Sequence, residues 1–139
     1  MDNVYWICFH GVFDFAYLLK LVTGDFLLPR DEYSFREALS VYFPSIFDIK
    51  TMISDYPHLH GSLYSLCQKL GVQRQGIQHQ AGSDSLVTAG AFFKIKNGYY
   101  ATDEKLLEVE NELFGIDDDE FDYEWYDPRY MSLDNIRRI

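Results

Sequence analysis

Cysteine is scarce in this chain. Two of the 139 residues are cysteine, Cys8 and Cys67, and they form neither a C-x-x-C pair nor the spaced, even-numbered set of a disulfide framework. A stapled secreted scaffold is thereby excluded, and a reducing compartment is the expected setting. The apolar N-terminal stretch does not read as a secretory signal, because it has no basic leader, carries Asp2, His10 and Asp14, and has no small-residue cleavage pattern. Long hydrophobic runs are missing too. Lys20 interrupts the best one well short of the roughly 20 apolar residues that span a bilayer, so no membrane segment is expected. Neither a glycine-rich phosphate loop nor an internal repeat is found, which sets aside P-loop nucleotide chemistry and solenoid architectures.

An excess of cations is also lacking. The formal net charge is −10, the wrong sign for a surface that binds nucleic acid by broad phosphate neutralisation. The imbalance is local. Residues 1–102 hold 9 acidic and 8 basic residues, whereas residues 103–139 hold 13 and 4. The first part is nearly neutral and the tail carries the excess. Metal ions at carboxylates could supply phosphate neutralisation in the first part, while the tail would repel RNA unless it lies far from the binding groove.

Aromatic residues are abundant, at 17%, and apolar patterning divides the chain into alternating elements. Residues 3–10 read as a strand buried on both faces. Residues 14–22 read as a helix that Thr23-Gly24 ends. Ser34-x-x-Glu37 is a capping-box pattern for a helix reaching Tyr42, stopped by Pro44. Residues 45–49 read as a second strand and 50–55 as a short helix. Residues 62–70 are amphipathic, with Gly71 as the terminating residue. Residues 82–96 predict a helix with Gly98 beyond its end and Phe92 and Phe93 in the core. Residues 102–114 predict another, with Leu106, Val109 and Leu113 on one face. Strands separated by helices imply an α/β fold with parallel pairing. The expected division is a domain over 1–115 and an acidic-aromatic tail over 116–139, in which Asp117-Asp118-Asp119-Glu120 precedes Phe121, Tyr123, Trp125 and Tyr126.

The chemistry concentrates in His79-Gln80-Ala81-Gly82-Ser83-Asp84-Ser85-Leu86. A histidine, able to accept a proton near neutral pH, stands five residues before an aspartate that opens an apolar helix. A second aspartate, Asp14, opens another apolar helix just after the run Val4 to Phe9. Taken singly, each aspartate would be read as a helix cap. Together with the histidine, two carboxylates at strand-to-helix junctions look like half of a two-metal phosphodiester hydrolysis site. Asp48, near a strand end, is read as a capping or turn residue, with an approach to the metals as the alternative. His10 faces either the groove or a structural polar contact. His58 and His60 read as loop surface residues in preference to a metal pair, because no further ligand stands nearby at a finger-like spacing.

Residues Tyr5 to Lys20 resemble the second exonuclease motif of the Caf/Pop-type deadenylases, DEDD-superfamily poly(A) ribonucleases that serve as a catalytic subunit of the Ccr–Not complex. His79 to Leu86 resemble the third motif of the same family, in the right order and spacing. Tyr42 to Lys50 and Gly61-Ser62-Leu63 are similar to it as well. The resemblance covers roughly residues 3–100.

It implies a ribonuclease H-like exonuclease fold and a 3′–5′ exoribonuclease that shortens mRNA poly(A) tails by two-metal hydrolysis. Asp14 and Asp84 would ligate divalent metal, magnesium by expectation, His79 would be the catalytic base, and His10 would touch substrate. The implied partners are poly(A) RNA and other Ccr–Not subunits, with no DNA and no membrane, in the cytoplasm and nucleus of a eukaryote. The family also has an Asp-x-Glu motif on an earlier strand. Asp2-Asn3-Val4 does not match it, so two of four metal-binding carboxylates are missing. The expectation is an incomplete fold, the C-terminal part of a deadenylase domain with little activity of its own. The alternative is a catalytically dead short relative that binds protein or RNA.

Overall fold

The apolar run at the N-terminus offers no polar face, so a strand made from it needs cover on both sides. The computed structural model, which describes residues 4–24, 28–29, 31–77 and 79–116, supplies cover on both sides in part, leaving the β1 residues half-buried. Strand β1 (Trp6–Cys8) pairs in parallel with β2 (Ile46–Asp48), with Trp6 opposite Ile46 and Cys8 opposite Asp48. Alternate side chains then enter two different cores. Trp6, Cys8 and Ile46 join a cluster with Phe15, Leu19, Phe35, Leu39 and Phe43. Ile7, Phe9 and Phe47 join a second with Met52, Leu66, Val87, Phe92 and Ile95. The two-residue period of a strand explains how one continuous apolar run serves both.

Helix α1 (Val12–Thr23) buries Val12, Phe15, Ala16 and Leu19, a helical stripe, and stops at Gly24, whose φ of 65° is the left-handed conformation that glycine adopts without a Cβ clash. Full burial of each larger side chain in such a stripe is worth roughly 1.5–3 kcal/mol. Helix α2 (Glu32–Tyr42) follows, then β2, the one-turn α3 (Ile49–Met52), a 3₁₀ turn at Pro57–Leu59 and α4 (Leu63–Leu70). Helix α4 is capped by Ser62 and ends at Gly71, as its sequence indicates. The long α5 (Ala81–Tyr99) packs against α4 and β1, and α6 (Asp103–Leu107) is capped by Thr102. Among the described residues no helix is long and apolar enough to cross a membrane.

Four expectations need correction. The cap of α2 is Asp31, whose side chain accepts from Ser34 N at 2.8 Å; Ser34 lies inside the helix and Glu37 instead accepts from Tyr33 OH. Helix α5 runs on through Gly98 to Tyr99, so that glycine does not terminate it. Phe92 is core but Phe93 is 56% exposed, since neighbours in a helix point about 100° apart. The segment after Leu107 is not one helix to Phe114. Asn111 turns left-handed at φ 64° and attaches to β2: its N–H donates to Ile46 O at 2.8 Å and its Oδ1 accepts from Ile46 N at 2.9 Å. A helix over 102–114 could not make both bonds. Leu113 and Ile116 are then buried beside α1 and α2. The acid block and the aromatics after it lie outside the described residues.

Candidate active site

The turn from β1 into α1 is fixed by one buried side chain. Asp48, fully buried at the end of β2, accepts hydrogen bonds from His10 N at 2.7 Å, Gly11 N at 3.0 Å, Lys50 N at 3.0 Å and Phe114 N at 3.3 Å. Its carboxylate is thereby committed to the backbone, which supports the structural reading over a place among metal ligands. His10 sits at φ 59°. Gly11 has a different necessity: a Cβ there would meet Cys8 Sγ at 2.4 Å. The tight turn delivers the chain into α1 with Asp14 in the first helical turn, and Gly11, not Asp14, occupies the N-cap.

Helix α5 presents the second carboxylate. Its N-cap is Gln80 with no side-chain capping bond, and Asp84 lies in the first turn. Neither aspartate serves as the cap that residue statistics suggest. Asp14 and Asp84 instead line one cleft of about 590 Å³, walled by Trp6, Cys8 and Phe15 on one side and by Ser85 and Thr88 on the other. The fold thus brings carboxylates from two distant segments, α1 and α5, to a common space.

Their electrostatics differ. Asp14 is exposed as a residue, yet desolvation of its carboxyl, reinforced by the negative charge of Asp48, pushes its pKa up, against a weaker opposing effect of His10. The hydrogen bond from Arg74 holds the Asp84 carboxyl below the ordinary range, helped by the Arg74 charge and by the backbone and charge of His79. Arg74 Nη1 lies 2.5 Å from Asp84 Oδ1 and 3.0 Å from Ser83 Oγ. Sequence reasoning missed Arg74. It stands alone in a loop, ten residues before its partner, with no periodicity to mark it. Cys8 also borders the cleft, but burial and the Asp48 charge push its thiol far up, and Sγ–H donates to Phe47 O.

The remaining candidates fall elsewhere. His79 is exposed, with φ 67°, on the loop entering α5, and its side chain is not part of the cleft wall. The His10 ring packs edge-on against Phe114 at 5.3 Å, also off the wall. His58 Nε2 pairs with Tyr99 OH at 3.0 Å, and His60 Nε2 with the carbonyls of Ile53 and Ser54. The two loop histidines thus have separate structural partners. Among the described residues, no group of three His, Cys, Asp or Glu side chains is placed to hold a metal ion. The two cleft carboxylates suit a hard divalent cation in kind and fall short in number.

Residues 2–92 match the profile of the CAF1 family ribonucleases. The chain is 46% identical over 99 residues to the Arabidopsis thaliana protein named probable CCR4-associated factor 1 homolog 7, covering 71% of this chain and 36% of that relative. It is 39% identical over 117 residues to the poly(A) ribonuclease pop2 of Schizosaccharomyces pombe, covering 83% of this chain and 34% of the relative. The chain thus spans about a third of the length of the curated relatives it matches. Among solved structures, S. pombe Pop2p in its Mg²⁺- and Mn²⁺-bound form superposes with a TM-score of 0.74 at 38% identity, covering 83% of this chain and 45% of that one.

Proposed function

This chain belongs to the CAF1 family of ribonucleases, with the ribonuclease H-like fold of Pop2 in incomplete form, and from that premise we propose that it forms part of a 3′–5′ exoribonuclease acting on poly(A). The observation that carries the reading is the convergence of Asp14 and Asp84 on one cleft. In this reading the two aspartates hold divalent metal, magnesium in the cell, jointly with carboxylates that the described residues do not supply. Such metals, when bound, provide charge stabilisation and a water nucleophile at neutral pH. From the loop entering α5, outside the cleft wall in this structure, His79 would take the proton of the attacking water, and His10, packed on Phe114, would border the path of the RNA. The names of the plant relatives, CCR4-associated factors, support an extension to other CCR4–Not subunits as partners; cytoplasm and nucleus are proposed as the location from the family resemblance alone.

The shortage of ligands favours a second reading as well: a member that binds RNA or complex subunits without cutting. An assay on end-labelled oligo(A), with and without chelator, separates the two. The chain alone should trim nothing. Joined to an upstream family segment that carries Asp-x-Glu, it should trim from the 3′ end in magnesium. Asp14→Ala and Asp84→Ala should each abolish that activity, and His79→Ala should lower it by about 10²–10⁴-fold. A joined protein that folds and stays silent would establish the binding-module reading. Chelator-sensitive trimming by the chain alone, lost in Asp14→Ala, would refute the ligand count.

A further inference from the structure

The Asp84 carboxylate is approached from two sides. One side meets the cleft that it shares with Asp14; Arg74 and Ser83 are not part of that cleft's wall. From the other side, Arg74 Nη1 donates to Asp84 Oδ1 and to Ser83 Oγ at once. Ser83 is 8% exposed, the Arg74 side chain 20% and the Asp84 side chain 36%, so the pair is half-buried and the guanidinium has two fixed acceptors. That distinguishes it from a solvated surface ion pair, which holds nothing in place. The loop is shaped to bring it there: Gly76 turns at φ 89°, and a Cβ on it would lie 3.4 Å from Ser83 Cβ.

We infer that Arg74 is a positioning residue for Asp84, anchored by Ser83, that fixes Oδ1 from behind and so presents the rest of the carboxylate to a cation in the cleft. The inference rests on the proposed role of Asp84 as a metal ligand and adds the group that orients it. A bare carboxylate in a first helical turn rotates about two side-chain bonds, and a cation binding it must stop that rotation. A carboxylate already held by a hydrogen bond binds with the rotation arrested, which is why partners behind metal ligands matter to affinity. The opposite role is also physically possible. A guanidinium next to a carboxylate is a rival cation, and its removal would then strengthen metal binding. The approach from outside the cleft and the engagement of a single oxygen favour positioning.

The test is a Mn²⁺ titration of the full 139-residue chain, followed by paramagnetic broadening of the Asp14 and Asp84 NMR signals. Hα–Hβ couplings of Asp84 give its rotamer in the same samples. The wild type should show one Asp84 rotamer. Arg74→Ala should average the couplings and weaken Mn²⁺ binding about 10-fold, and Arg74→Lys should restore part of the affinity. Ser83→Ala, which keeps both charges, should shift couplings and affinity in the same direction by less. Arg74→Ala binding as well as or better than wild type, or unchanged couplings, would overturn positioning. If Arg74→Ala does not fold, Ser83→Ala decides, and a neutral result there overturns it. Broadening of Asp14 without Asp84 would refute Asp84 as a ligand, a distinct failure that removes the proposed function and this inference together; the couplings test positioning whether or not this chain alone holds Mn²⁺.

Discussion

Four backbone N–H groups from three separate segments converge on the Asp48 carboxylate. Removal of that acceptor leaves buried donors unpaired, at roughly 1–3 kcal/mol for each one that water cannot reach. Asp48→Ala should therefore destabilise the chain by about 3 kcal/mol or more in urea denaturation. Asp48→Asn should do little better, because one amide oxygen replaces two acceptors and the NH₂ faces other donors. A loss below about 1 kcal/mol would show that the turn stands without its clamp. The cleft aspartates should titrate apart. Burial and the Asp48 charge raise Asp14, while the Arg74 hydrogen bond depresses Asp84. The stability linked to Asp14 is thus fully present below the ordinary aspartate value and is lost as pH rises through the raised one. The stability linked to Asp84 is present above the ordinary value and is lost as pH falls through the depressed one. Carboxyl ¹³C titration should place the Asp14 midpoint above about 3.9 and the Asp84 midpoint below it. Coincident midpoints would contradict the geometry around Arg74.

Helix α5 shows what an element conceals in its sequence. It contains Gly90 and Gly98, two glycines that composition cannot tell apart. A Cβ on Gly98 meets nothing within 4 Å, whereas on Gly90 it would lie 2.9 Å from Val72 Cγ1, on a β-branched side chain with little rotamer freedom. Gly98→Ala should stabilise by about 0.5–1 kcal/mol, the glycine penalty in a helix. Gly90→Ala should lose that gain to overpacking of about 1–3 kcal/mol, and Val72→Ala in the same chain should recover part of it. Thermal melts of these three variants beside the wild type decide; equal effects at the two glycines would refute the contact. The same contrast explains what was legible beforehand. β1, β2, α1 and α4 announce themselves because local apolar period, terminal glycines and the Ser62 cap agree with the final packing. The α2 start was misread because Asp31 and Ser34 are both good capping residues three positions apart. The end of α6 was hidden because Asn111 answers to Ile46, 65 residues away. Asp14 and Asp84 stood out through motif order, and Arg74 did not, since only the fold makes it their neighbour.

At the scale of the molecule, the described residues leave the sheet and the surface of α1 incompletely covered. Among the described residues the sheet has two strands, few for a sheet to be stable without packing on both faces. Beside it, Phe13, Tyr17, Leu18, Leu21 and Val22 of α1 are all more than a third exposed, with Leu21 at 78%, and Val4 and Tyr5 next to β1 are about half exposed. The helix therefore has two apolar sides: Val12, Phe15, Ala16 and Leu19 pack inward, and the others meet water. Contiguous apolar surface of this kind favours association over a freely dissolved monomer. The chain in isolation should bind a hydrophobic dye and sediment as more than a monomer at micromolar concentration. Leu21→Glu combined with Val22→Glu should reduce both effects. Each position is about half exposed or more, so the melting temperature should barely change, as surface substitutions stay near ±0.5 kcal/mol. A chain that is already monomeric and silent to dye would mean that this face is at ease in water, and that α1 needs no further cover to do its work.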